Sequence, residues 1–128
     1  MRVLLALCAS CWLLACTPAP QTSQDNCLTY GPRAVTLSGK AVTRMISGDG
    51  AAAHNMLLLE LDAPICIDAS GAIAENNDVR EIQLMPQSSF KAAYSLAGMH
   101  VAATGPLSPA KGAQHHGVVM TLQAIGPR

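Results

Sequence analysis

Aromatic residues are nearly missing from this chain. Its 128 residues include one Phe, one Trp and two Tyr, and the Trp is at position 12. Proteins that hold single-stranded nucleic acid need aromatic faces on which bases stack, together with a basic groove. Here the strand-forming segments contain no Phe, Tyr or Trp, and eight Lys and Arg are balanced by eight Asp and Glu. No nucleic-acid partner is expected. Long apolar runs are also missing. The longest, Val3 to Leu14, is about a dozen residues, short of the roughly 20 that a spanning helix requires. There is no Cys-x-x-Cys, no Gly-x-Ser-x-Gly elbow and no His-Glu-x-x-His pair, so the commonest thiol, serine and zinc hydrolase sites have no signature. The reading is a protein that is not an enzyme and needs no cofactor.

What is present is an address. Arg2 supplies a positive start, Val3–Leu14 an apolar stretch, and Leu13-Leu14-Ala15-Cys16 closes it in the pattern of a bacterial lipobox. Residues 1–15 are then a lipoprotein signal peptide, and Cys16 carries lipid, because thioether attachment of a diacylglyceryl group requires a thiol at the cleavage point. Two or more acyl chains anchor stably where one does not. Thr17 to Asp25 is polar and contains Pro18 and Pro20, so 16–26 reads as a flexible tether. The expected location is the bacterial cell envelope, lipid-anchored and facing the periplasm. Thr17, in place of the Asp that retains lipoproteins in the inner membrane, favours the outer membrane. Loss of Arg2 leaves seven basic and eight acidic residues, a net charge near −1.

The remainder, 27–128, is long enough for one small domain. Of five Cys, Cys8 and Cys11 leave with the leader and Cys16 is lipidated, which leaves Cys27 and Cys66. In an oxidising compartment a leftover pair most often forms a disulfide. The alternative is a redox-active or metal-binding pair.

Hydrophobic periodicity gives the elements. Ala34–Met45 alternates, with Val35, Leu37, Gly39, Ala41, Thr43 and Met45 on one face. After the turn cluster Ser47-Gly48-Asp49-Gly50, a second strand spans His54–Ile67, with Leu57, Leu59, Leu61, Ala63 and Ile65 inward. Pro64 belongs at an edge or bulge of that strand. Asp68–Asp78 reads as a loop and Val79–Met85 as a third strand. Ser88 or Ser89 caps a helix to about Ala97, with Phe90, Ala93, Tyr94 and Ala97 as its buried stripe and Gly98 as a left-handed stop. Met99–Thr104 is a fourth strand closed by Gly105-Pro106, and Val118–Ile125 is a fifth.

Three strands, a helix and two strands match an all-β fold with one short helix, a five-stranded OB-fold-like Greek-key barrel. In that topology the hairpin of the first two strands brings Cys27 and Cys66 together, which supports the disulfide a second time. The domain also resembles the domain of unknown function 4431 family of bacterial envelope lipoproteins. The likeness covers roughly Cys27 to Ile125. It lies in Cys27-Leu28-Thr29-Tyr30-Gly31-Pro32, in Leu59-Glu60-Leu61-Asp62-Ala63-Pro64-Ile65-Cys66, in Leu96-Ala97-Gly98-Met99-His100-Val101, in Thr104-Gly105-Pro106-Leu107 and in His115-His116. The resemblance implies the domain and its bridge, and no activity.

Candidate sites are few. His100, His115 and His116 are the candidate metal ligands, since imidazole suits Zn, Cu or Ni and the fourth and fifth strands are neighbours. Against them, adjacent residues of an extended segment point apart. Glu75, Asp78 and Glu81, and separately Glu60 and Asp62, are acidic groups best read as solvated. Tyr30 is expected to pack over the disulfide or plug the barrel end. The leading expectation is a non-enzymatic binding or structural module for an envelope protein, peptide or glycan, using the open barrel face and the loops at 46–54, 68–78 and 108–117. The alternative is a His-based transition-metal-binding lipoprotein.

Overall fold

The computed structural model describes residues 27–47, 52–71, 73–111 and 117–128. Six strands follow in order: β1 (Ala34–Ile46), β2 (His54–Ile67), β3 (Asn76–Met85), β4 (His100–Pro109), β5 (Val118–Thr121) and β6 (Ala124–Pro127), with a 3-10 helix over Ser88–Leu96 between β3 and β4. The strands pair in the order β1-β2-β3-β5-β4-β6, and β4 also pairs with β1. That last ladder, Ala34↔Pro106 to Lys40↔His100, closes a five-stranded barrel. All pairings between strands are antiparallel except β3 with β5, which run parallel from Gln83↔Val119 to Met85↔Thr121. This is the OB-like all-β architecture.

The barrel interior is filled by the alternating residues of each strand, as a small barrel requires. Ala41, Leu57, Leu59, Ile82, Leu84, Val101, Ala103, Leu107 and Met120 are all buried in one cluster. The inward face expected for β1 holds through Ala41 but not beyond. Thr43 is exposed and Met45 is 70% exposed. The β1–β2 ladder continues to Ile46↔His54, past the last buried inward residue of β1, so alternation persists after there is no core left to face. Ala63 is exposed as well. Pro64 falls between the pairs Glu60↔Glu81 and Ile65↔Val79, inside a register shift, where its missing N–H leaves no ladder bond unmade.

Three element boundaries differ from the sequence reading. β3 starts at Asn76, three residues before Val79. Backbone pairing to β2 carries the strand into polar residues, where hydrophobic period gives no signal.

β4 does not stop at Gly105-Pro106 but continues to Pro109. On one edge, the β4–β6 ladder ends at Thr104↔Ala124 and the β4–β5 ladder begins at Leu107↔Met120. Gly105 and Pro106 occupy the gap between the two ladders, so a turn-like dipeptide sits inside a strand.

The expected fifth strand is broken into β5 and β6 at Leu122-Gln123. There the Leu122 N–H bonds the Met85 carbonyl and the Gln123 N–H bonds the Thr104 carbonyl. Val118, Met120 and Leu122 face inward. Past the break the phase flips, so Ala124 is exposed and Ile125 packs on the core.

The helix is 3-10, with a period of three, which moves its buried stripe. Ala93 is buried and Leu96 packs on the core, whereas Tyr94 is 40% exposed. The side chain of Phe90 lies outside those described. Ser88 is the first residue of the helix rather than its cap. Gln87 is the N-cap residue and makes no side-chain cap hydrogen bond. Gly98 does follow with a left-handed φ of 89°, a conformation open to glycine at no steric cost.

Candidate binding surface

Cys27 and Cys66 are joined, with Cα atoms 4.7 Å apart. The hairpin is not what joins them. The β1–β2 ladder ends at Gly39↔Leu61, before either Cys is reached. The residues ahead of β1 double back and run parallel to the end of β2. The Leu28 N–H donates to the Cys66 carbonyl and the Asp68 N–H to the Leu28 carbonyl. The bridge therefore fastens the N-terminal segment along β2. Tyr30 follows it, half-buried against the core, and desolvation raises its phenol pKa.

On the outer face of the barrel, Arg44 on β1 reaches across β2 to Glu81 on β3. Both guanidinium nitrogens donate to the two carboxylate oxygens at 2.9 Å. Register places Arg44 opposite Met56 and Glu81 opposite Glu60, so the pair passes over Leu58. That explains why Leu58, on the outward side of β2, is fully buried. Chiefly through the hydrogen bond and then through its charge, Glu81 raises the pKa of Arg44. Nothing in the sequence pairs these two residues, because they lie two strands apart.

His100 lies at the start of β4 and its Nε2 is 2.7 Å from Asp62 Oδ2. Pro109 and Val118, the described ends of the loop that carries His115 and His116, pair at the opposite end of β4. Nine residues of strand separate them from His100, about 30 Å. β4 and β5 are therefore neighbours only at the end of β4 away from His100. His115, His116 and Cys16 lie outside the described residues. Among the described residues no three His, Cys, Asp or Glu side chains converge. Met120 belongs to the core and Met56 is 2% exposed.

The acidic residues are dispersed rather than clustered. Asp78 pairs with Arg80, Glu81 with Arg44 and Asp62 with His100, while Glu75 accepts from the Asn77 amide. Both partners of the Asp62–His100 pair are about half exposed. Asp62→Ala should cost no more than about 1 kcal/mol in urea unfolding; a larger loss would mean the pair fixes the closure of β1 against β4.

Three hollows lie along the outer surface and share lining residues. The first, about 410 Å³, is lined by His54, Met56, Met85, Pro86, Lys91 and Tyr94 among others. Met85 leads into a second of about 230 Å³. Ser108, Pro109, Lys111 and Thr121 are shared with a third of about 470 Å³, which ends at Tyr30 and Pro32. The resulting trough starts beside the described end of the 46–54 loop, passes the start of the 108–117 loop and finishes at Tyr30 and Pro32. Its lining mixes Met, Leu, Val, Pro and Tyr with amides, hydroxyls and His54, and its only other ionisable groups are two Lys, with no carboxylate. Tyr94 belongs to the stripe the sequence assigns to the buried face of the helix. It stands at the trough instead, its hydroxyl 3.4 Å from the Asn55 carbonyl.

Against known proteins, the chain matches no protein-family model and no curated relative. The likeness to the domain of unknown function 4431 family rests on the residues that suggested it.

Proposed function

We propose that this chain is a lipid-anchored envelope lipoprotein whose barrel is a non-enzymatic binding module held off the membrane by the tether at 16–26. The observation that carries the reading is the Cys27–Cys66 disulfide. Structural disulfides belong to oxidising compartments, and this one closes immediately after the polar tether that follows Cys16. The trough supplies the binding surface. It is long, shallow and mildly apolar, with Lys91 and Lys111 along it. Such a surface suits an extended peptide or glycan that carries acidic groups, since cations in a low-dielectric groove attract and orient anions.

The anchor is tested by metabolic labelling with an alkyne palmitate in a bacterial host, followed by detergent-phase partition. The wild-type chain should be labelled and enter the detergent phase, and Cys16→Ser should lose both properties. Labelling that persists in Cys16→Ser, or is absent from the wild type, would overturn the anchor.

A further inference from the structure

We propose that Asp78–Arg80 of β3 is a self-complementary sheet edge through which two copies of this chain pair antiparallel. β3 pairs with β2 from Asn76 to Leu84 but with β5 only over Gln83–Met85. Gln83 and Leu84 take β2 on one edge and β5 on the other. The β5-side edge of Asn76–Arg80 therefore has no strand beside it among the described residues. Such an edge offers backbone donors and acceptors to another strand. The side chains here are accessible. Asn76, Asn77, Asp78 and Arg80 are all exposed, and only Val79 turns into the core.

Charge selects the partner and the register. Asp78 and Arg80 flank Val79 on the same face, 3.0 Å apart, with 63% and 71% of their side chains exposed. A two-fold axis through an antiparallel ladder pairs residues whose numbers add to a constant, and side chains of one face must meet. Three registers satisfy this around Val79. Centring on Asp78 sets two carboxylates against each other, and centring on Arg80 sets two guanidiniums against each other. Centring on Val79 places Asp78 opposite the second copy's Arg80, and symmetry repeats the pair. Opposite charges stabilise a cross-strand pair and like charges destabilise it, so one register is favoured and its neighbours are penalised. A bulge limits the ladder, because Asn77 and Asp78 together face Cys66 between the pairs Ile65↔Val79 and Ile67↔Asn76. The interface is short and the association correspondingly weak.

The test is sedimentation equilibrium of the full chain in density-matched detergent, taken to a concentration on the order of 1 mM. The wild type should form dimers in reversible equilibrium with monomers. Asp78→Arg converts both cross-strand pairs to Arg against Arg and should weaken dimerisation at least about ten-fold. The double variant Asp78→Arg/Arg80→Asp restores opposite charges and should return the constant to within about three-fold of the wild type. Circular dichroism on each variant checks that the barrel is intact, which is expected for exposed side chains. A chain that stays monomeric throughout would overturn the proposal. So would a dimer indifferent to Asp78→Arg, or one that the double variant fails to restore.

Discussion

Gly39→Ala and Gly105→Ala should each destabilise the barrel by about 3 kcal/mol or more, a large fraction of the stability of an ordinary domain. At Gly39 a Cβ would sit 2.0 Å from the Glu60 carbonyl oxygen and 3.0 Å from the Leu61 Cα. At Gly105 it would sit 1.9 Å from the Thr121 carbonyl oxygen. Both obstacles are main chain, so no rotamer change relieves them and a strand has to move. Each position is also a junction. Gly39 pairs with Leu61 on β2 and with Val101 on β4, and Gly105 spans the change from β6 to β5 along one edge of β4. A shift at either site opens a seam of the barrel. Replacing glycine also stiffens the unfolded chain, which stabilises by roughly 0.4–1 kcal/mol, too little to offset the clash. Gly126 is the control, because an added Cβ there meets nothing within 4 Å, and Gly126→Ala should stay within about 1 kcal/mol of wild type. Urea unfolding of the three variants separates these outcomes. Near-wild-type stability for Gly39→Ala and Gly105→Ala would mean that the strands do not approach as closely as described.

Removing the disulfide is the second large effect. The bridge spans 39 positions of sequence, and closing a loop of about 40 residues removes roughly 4 kcal/mol of chain entropy from the unfolded state. The folded segment has few other attachments. Leu28 bonds to Cys66 and Asp68, Gly31 bonds to the Leu107 carbonyl, and Leu28 and Tyr30 pack on the core. Cys27→Ala/Cys66→Ala should therefore lower stability by about 2–5 kcal/mol, a fall in Tm on the order of 20 °C for a domain of this size. A reductant applied to the wild-type chain should give the same shift, and applied to the double variant none. If the double variant unfolds within 1 kcal/mol of wild type, the backbone bonds of Leu28 hold the segment without the bridge. The same experiment bears on function, because Tyr30 and Pro32 form one end of the trough.

Much of the wall of the barrel was legible in the residue pattern, and most of the candidate surface was not. Val35, Leu37 and Ala41 on β1, and Leu57 and Leu59 on β2, show the two-residue period of a half-buried strand and occupy the inner face. The outer face is organised by contacts between strands distant in sequence. Arg44 with Glu81, Asp62 with His100, and Thr36 with Thr104 depend on register and on which strands become neighbours. Alternation shows that Arg44 points outward but not what it meets.

By itself the sequence determined the local elements, their order, the pair of Cys left for a bridge, and the bend at Gly98, because period, punctuation and glycine geometry act over a few residues. Only the tertiary structure decided the rest. It closed β4 on β1, set β5 parallel to β3, carried β4 through Gly105-Pro106 and gave the helix its 3-10 period. The three strand pairings share one physical reason. A backbone donor or acceptor is satisfied by whichever strand the closed barrel brings within reach. That choice is made by the whole wall at once, not by the residues on either side of the group.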